Sequence, residues 1–106
     1  MVHCALKAAE HLEAMGISAS VLDMHTIKPL DITAVEAACK RKLLVTVEEH
    51  SIIGGLGSAV AEKLALKTIH PPHLIIGAPD VYPHAGDYVS LLDSCGLTPD
   101  KVAGKI

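Results

Sequence analysis

The chain has 106 residues, half of them hydrophobic, and Tyr82 and Tyr88 are its only aromatic residues. This length suits one small domain with an aliphatic, alanine-rich core. The formal net charge of −3 and the shortage of aromatic side chains argue against nucleic-acid binding, and no apolar run is long enough to span a membrane.

The three cysteines, Cys4, Cys39 and Cys95, are odd in number, widely spaced and placed at apolar positions of predicted helices. Cytosolic thiols stay reduced, and a reduced cysteine packs as a small hydrophobic residue. The N-terminus also lacks the basic and then apolar pattern of a secretion signal. We therefore expect a cytoplasmic protein with buried, reduced thiols.

The first part of the chain predicts a helix, a strand and a second helix. Apolar residues recur at helical spacing over residues 5–15, and Gly16 suits the left-handed residue that often follows a helix. Residues 17–24 alternate and then become more continuously apolar, which indicates a strand. Asp31 is placed to cap the next helix, whose predicted buried stripe is Ile32, Val35, Ala38 and Cys39.

The middle of the chain predicts a strand, a glycine-rich turn and a helix. Residues 43–47 are apolar and rich in β-branched side chains, as in a strand buried on both faces of a parallel sheet. Residues 58–64 repeat apolar residues at helical spacing. Between them lie the polar residues Glu48, Glu49, His50 and Ser51 and then the glycines Gly54, Gly55 and Gly57.

The last part predicts a third strand at residues 74–76 and two further helices. Asp87 is placed to cap the first of these helices, with Tyr88, Val89, Leu91, Leu92 and Cys95 as its apolar residues and Gly96 at its end. Thr98 before Pro99 marks the start of the other. This alternation of elements predicts an α/β fold with a mostly parallel sheet, covered by helices on both faces.

The glycine-rich turn is a weak candidate for an anion site formed by Gly54, Gly55, Gly57 and Ser58, because N–H groups at a helix N-terminus attract anions. Val60 stands where a dinucleotide fingerprint needs glycine, and a phosphate-binding Gly-Lys-Ser/Thr is missing. One hypothesis is a stand-alone module that binds a nucleotide or another anion. The alternative is that the glycines only allow close strand–helix packing.

Glu48, Glu49 and His50 are expected at the carboxyl end of a buried strand, where α/β sheets place functional groups. Three interpretations are open: they line an interface with partner domains or a second subunit, they form a solvated end of the strand, or they take part directly in chemistry. His70 and His73 have the spacing of metal ligands, but two prolines separate them and no third ligand is close in sequence. A surface turn is therefore favoured over a zinc site.

Three segments in the right order, HTIKPLD, LLVTVEEHSIIGGLGSAVAE and LLDSCGLTPDKVAGKI, strongly resemble the C-terminal domain of transketolase. The resemblance covers residues 1–106. Related domains of 2-oxo acid dehydrogenase β subunits and of deoxyxylulose-phosphate synthase share the pattern more loosely. Residues 26–31 and 48–50 look most like the transketolase branch, including its split two-subunit forms.

The resemblance implies a single three-layer α/β/α domain with a small, mostly parallel sheet. Such a domain is a scaffold and dimerisation domain of a thiamine-diphosphate enzyme that transfers two-carbon ketol units between sugar phosphates. Thiamine diphosphate and magnesium bind to other domains of such an enzyme, so no catalytic residue, cofactor ligand or metal ligand is carried over to this chain. The one Gly-Asp pair, Gly86-Asp87, is followed by Tyr88 rather than by glycine.

The partners implied are the thiamine-binding domains or subunit of the same enzyme, within a homo- or hetero-oligomer.

Two departures from the family pattern stand out. The family has a strand just before the position of Met1, inside the sheet, so we expect a rearranged strand order, a strand from another chain, or a longer polypeptide. Residues 83–86 replace a segment in which relatives often carry arginine and Ser-Gly. The interface candidates are Glu48, Glu49, His50, Thr26 and Lys28.

Overall fold

The computed structural model describes residues 1–82 and 84–106, and these form five helices and two strands. No helix in the described part of the chain combines the length and apolar character needed to cross a membrane. In chain order the elements are α1 Val2–Ala14, α2 Ile32–Ala38, β1 Leu44–Ser51, α3 Leu56–Leu64, β2 His73–Ala78, α4 Tyr88–Ser94 and α5 Pro99–Ala103.

The two strands pair in parallel. Leu44 lies opposite His73 and Val47 opposite Ile76, and after an irregularity Ser51 lies opposite Ala78. A parallel pair needs a crossover connection, and α3 provides it between β1 and β2. The predicted parallel pairing of these strands is confirmed.

Helices cover both faces of the sheet. On one face, Val45 and Val47 of β1 pack against a core formed largely by α1 and α5. On the other face, Leu44 packs against a second core of Val35, Val60 and Leu64, which belong to α2 and α3. The predicted three-layer α/β/α arrangement is confirmed. The first core consists of Ala8, Leu12, Ile76, Leu97, Val102 and Ala103.

Local sequence signals set the ends of several helices. The Asp31 carboxylate accepts a hydrogen bond from the Ala34 N–H at 2.9 Å, and Asp87 accepts one from the Ser90 N–H at 3.0 Å. Both bonds satisfy N–H groups that a helix leaves free in its first turn. Gly16 and Gly96, with φ of 80° and 70°, follow the ends of α1 and α4. These caps are as predicted.

The strand predicted at residues 17–24 is wrong. These residues have neither helix nor strand structure, and Ile17, Val21 and Leu22 are 42%, 37% and 54% exposed. A strand forms where a neighbour satisfies its N–H and C=O groups. Among the residues that the structure describes, β1 pairs only with β2. The alternating pattern of residues 17–24 therefore has no strand partner.

The predicted buried stripe of α2 is only partly right, and the apolar residues of α4 are only partly covered. In α2, Val35 is buried but Ile32 is 39% exposed. In α4, Leu92 packs against the first core, whereas Tyr88 and Val89 are 59% and 71% exposed. The Tyr88 hydroxyl donates a hydrogen bond to Glu49. The first turn of α4 therefore lies beside the polar end of β1 and not over the core.

Gly57 allows α3 to pack against β2. A Cβ atom at this buried position would overlap Ile75 Cγ2 and lie 3.0 Å from Ile75 Cγ1. Gly57→Ala should lower the free energy of unfolding by about 1–2 kcal/mol, because overpacking outweighs the gain in helix propensity. Urea unfolding measures the change.

Gly86→Ala is the matched control for this substitution. A Cβ atom at Gly86 would lie 3.7 Å from the nearest atom, Leu91 Cδ2, which is an ordinary separation. We expect the control to change the free energy of unfolding by less than about 0.5 kcal/mol. Equal effects at Gly57 and Gly86 would show that the close approach of α3 to β2 is not what requires glycine.

Candidate functional site

The polar residues predicted to follow the central strand lie within it, because β1 continues through Ser51. Glu48 is buried, at 8% exposed, while Glu49 and His50 are exposed. Side chains alternate between the two faces of a strand. Glu48 therefore shares a face with the buried Thr46, which is 6% exposed, and this face is the one covered by α3.

The Glu48 carboxylate caps the N-terminus of α3. Its Oε2 atom accepts a hydrogen bond from the Leu56 N–H at 2.7 Å, and its Oε1 atom accepts one from the Gly57 N–H at 2.8 Å. A helix leaves four N–H groups without internal partners at this end, and its dipole favours a negative charge there. One side chain from β1 thus satisfies two of these groups.

Glycine at positions 55 and 77 leaves room for this arrangement. A Cβ atom at Gly55 would overlap the Glu48 Oε2 atom and lie 2.9 Å from His50 Nδ1. A Cβ atom at Gly77 would lie 2.8 Å from the His50 carbonyl oxygen. Close packing around Glu48 and His50 therefore requires glycine at positions 55 and 77.

The structure brings the candidate anion-site residues Gly54, Gly55, Gly57 and Ser58 together in one turn. The Gly54 N–H donates to Ser58 Oγ at 2.8 Å, and the Gly57 N–H is bonded to Glu48. A second anion would approach a carboxylate and compete for donors that already have acceptors. The geometry therefore does not favour the hypothesis of a nucleotide- or anion-binding module.

Glu49 and His50 lie on the outside of the strand end. The Tyr88 hydroxyl donates a hydrogen bond to Glu49 Oε2 at 2.8 Å, which joins β1 to α4. This bond, with a smaller contribution from desolvation, raises the pKa of Tyr88. His50 Nδ1 lies 2.9 Å from the Ser51 carbonyl oxygen. Both side chains are accessible, and their role in an interface stays a prediction.

Thr26 and Lys28 are exposed and lie in the segment that leads into α2. Thr26 borders an open depression of about 360 Å³, which also includes Asp23, His25 and Asp31 among its lining residues. No hydrogen bond or ion pair between described residues joins Thr26 or Lys28 to the group at the end of β1. The five interface candidates therefore do not form one bonded cluster.

His73 is half-buried at the start of β2, and its Nε2 atom lies 3.1 Å from Thr46 Oγ1. Desolvation, with a smaller effect of His70, lowers the pKa of His73 below its ordinary value. His70 Nδ1 donates to the Pro71 carbonyl oxygen at 2.9 Å. Residues 1–82 and 84–106 contain no group of three side chains that could hold a metal ion.

The cysteines are free and partly buried rather than fully enclosed. The Cys4 Sγ atom donates to the Leu97 carbonyl oxygen at 3.1 Å, and burial raises the pKa of this thiol.

Of the atypical segment at residues 83–86, Pro83 lies outside the described residues. His84, Ala85 and Gly86 are exposed and have neither helix nor strand structure.

Sequence reasoning missed the capping role of Glu48. The alternation of the strand contained a signal, because Glu48 stands two residues after Thr46 and three after the apolar Val45. Its partners, however, lie eight and nine residues further along the chain. A strand pattern alone does not distinguish a buried cap from a carboxylate in solvent.

Comparisons with known proteins agree on one family. The sequence profile of the family "Transketolase, C-terminal domain" matches residues 1–102. A 1-deoxy-D-xylulose-5-phosphate synthase of Cupriavidus necator is 49% identical over 98 residues, which cover 92% of this chain and 15% of that protein. A Methanocaldococcus jannaschii protein, named as a transketolase C-terminal section, is 43% identical over 102 residues, or 96% of this chain and 32% of that protein.

A solved structure shows the same fold. The chain titled "Split gene transketolase, inactive beta4 tetramer" is 41% identical in sequence and superposes with a TM-score of 0.85. The match covers 97% of this chain and 33% of that chain. The present sequence thus spans a third or less of the length of these relatives.

The Glu48 cap should contribute strongly to stability. Glu48→Ala removes two charge-assisted hydrogen bonds and leaves two N–H groups without their acceptor, so the free energy of unfolding should fall by about 2–4 kcal/mol. Glu48→Gln keeps one carbonyl acceptor and should lose less. Glu49→Ala, at an exposed neighbouring position, is the control and should lose less than about 1 kcal/mol. Equal losses at Glu48 and Glu49 in urea unfolding would contradict the cap.

The lowered pKa of His73 predicts a loss of stability in acid. The unfolded chain takes up this proton near the ordinary pKa of 6.5, and the folded chain does so only at lower pH. The free energy of unfolding should therefore be highest above pH 6.5 and fall as the pH drops towards the folded pKa.

Urea unfolding from about pH 8 to about pH 5 measures this dependence. His73→Gln should remove the part of the decline that His73 causes. Identical pH profiles for wild type and His73→Gln would show that this histidine does not titrate differently on folding.

Proposed function

The chain belongs to the family of transketolase C-terminal domains, and we propose that residues 1–106 serve as the scaffold and dimerisation domain of a transketolase-like thiamine-diphosphate enzyme. The whole enzyme would transfer two-carbon ketol units between sugar phosphates. The observation that carries this proposal is the likeness of nearly the whole chain to one third of a split-gene transketolase chain. A cytoplasmic location, in which the free cysteines stay reduced, is part of the proposal.

The residues of this chain do not fit thiamine diphosphate. The carboxylate in its one Gly-Asp pair, Asp87, accepts hydrogen bonds from both the N–H and the hydroxyl of Ser90. In the glycine-rich turn, the Leu56 and Gly57 N–H groups are bonded to Glu48. We therefore place the cofactor and its magnesium on other domains of the enzyme and assign no chemical step to this chain.

A second candidate is the same scaffold role in a deoxyxylulose-phosphate synthase. The observation in its favour is the 49% identity to the Cupriavidus necator synthase, compared with 43% and 41% for the two transketolase-named relatives. The two candidates share the domain's structural role and differ in the reaction of the whole enzyme. Both activities therefore have to be assayed on the assembled protein.

The test is reconstitution of the whole enzyme from this domain and the thiamine-binding remainder, with folding of each part checked by circular dichroism. We expect the two parts to form a larger assembly in sedimentation and to recover ketol transfer with thiamine diphosphate and magnesium present. Recovery of deoxyxylulose-phosphate formation instead would favour the second candidate. If two folded parts neither associate nor recover either activity, the scaffold proposal is wrong.

A further inference from the structure

Large apolar side chains are exposed where the two strands end. Ile52 and Ile53 directly follow β1, Val81 and Tyr82 come shortly after β2, and α4 begins with Tyr88 and Val89. Parallel strands end at the same edge of a sheet, so these segments meet there. We name these six residues the carboxyl-end surface; in chain order they are 37%, 61%, 66%, 103%, 59% and 71% exposed.

Hydrogen bonds hold the segments of this surface together. The Ile52 N–H donates to the Ala78 carbonyl oxygen at 3.0 Å, which ties the end of β1 to the end of β2. The Tyr88 hydroxyl donates to Glu49 at 2.8 Å, which ties β1 to α4. This bond already positions the Tyr88 ring in the free domain. Binding of a partner over the ring therefore costs less side-chain entropy.

The charge around this surface is negative. Residues 43–62 and 68–100 contain neither lysine nor arginine, whereas Glu49, Asp80 and Asp87 are exposed in these segments. Two copies that met through this same surface would bring like charges together. The charge pattern instead suits a partner whose apolar patch is bordered by lysine and arginine.

We propose that the carboxyl-end surface docks onto an apolar patch, bordered by lysine and arginine, on the thiamine-binding part of the same enzyme. This inference rests on the proposed function and adds to it the contact surface and the chemistry of the partner. Tyrosine is favoured in such contacts because its ring buries a large area while its hydroxyl keeps a polar contact. Both tyrosines of the chain lie on this surface.

The first experiment measures the dissociation constant between the domain and the thiamine-binding part, prepared as separate chains. Tyr82→Ser combined with Val89→Ser should raise this constant about tenfold or more, because central aromatic contacts carry much of the binding energy. Leu66→Ser combined with Ile69→Ser is the matched control. These residues are 81% and 89% exposed and lie after α3, before β2 begins. The control should change the constant less than about twofold.

Charge reversal tests the electrostatic part of the proposal. Asp80→Lys should slow association and reverse or weaken its dependence on salt, because rim charges act mainly on the association rate. Glu13→Lys, at an exposed position in α1, is the control and should leave the rate unchanged. Equal association rates for the two variants would overturn the basic border proposed for the partner.

Hydroxyl-radical footprinting then locates the contact directly. Tyr82 and Tyr88 should become several-fold less reactive in the assembled enzyme than in the free domain. Assembly with unchanged tyrosine reactivity, and equal dissociation constants for the serine variants and their control, would overturn this surface while leaving the scaffold role intact. Failure of the folded parts to associate would overturn both. Protection of Tyr82 in a dimer of the free domain would assign the surface to a second copy instead.

Discussion

The bond between the Glu48 carboxylate and the N-terminus of α3 determines how the centre of the domain fits together. A buried carboxylate is costly unless it is well compensated, and here two backbone N–H groups and the helix dipole compensate it. The same bond requires glycine at position 55, where a Cβ atom would overlap the carboxylate. The strand, the turn and the helix are thus specified together.

This internal cap also changes what the carboxyl end of the sheet can do. In many α/β proteins, free N–H groups at this edge bind a small anionic ligand. Here the Leu56 and Gly57 N–H groups are already bonded to Glu48. The exposed side chains at this edge are instead Ile52, Ile53 and the two tyrosines. The edge therefore presents apolar area, which suits contact with another protein surface better than capture of a small anion.

The sequence predicted the features that depend on local chemistry. Asp31 and Asp87 cap the N-termini of α2 and α4, and Gly16 and Gly96 adopt the positive φ that other residues avoid. Residues 17–24 were mispredicted because a strand depends on a neighbouring strand, which an alternating pattern does not reveal. The apolar pattern of α4 does not show which of its residues are exposed, because the exposure of Tyr88 and Val89 depends on what packs above the helix.

The aromatic residues lie apart from the residues that form the two cores. Aromatic side chains bury the most area per residue and usually dominate cores and interfaces. Both cores of this domain consist of aliphatic residues, including alanine, valine and leucine. Tyr82 and Tyr88 lie outside both cores. Neither ring is buried in the folded domain, so most of the apolar area that they offer is still available to a partner. If the proposed docking is correct, stability and association draw on separate sets of residues: the aliphatic layers stabilise the fold, and the carboxyl-end surface binds the partner.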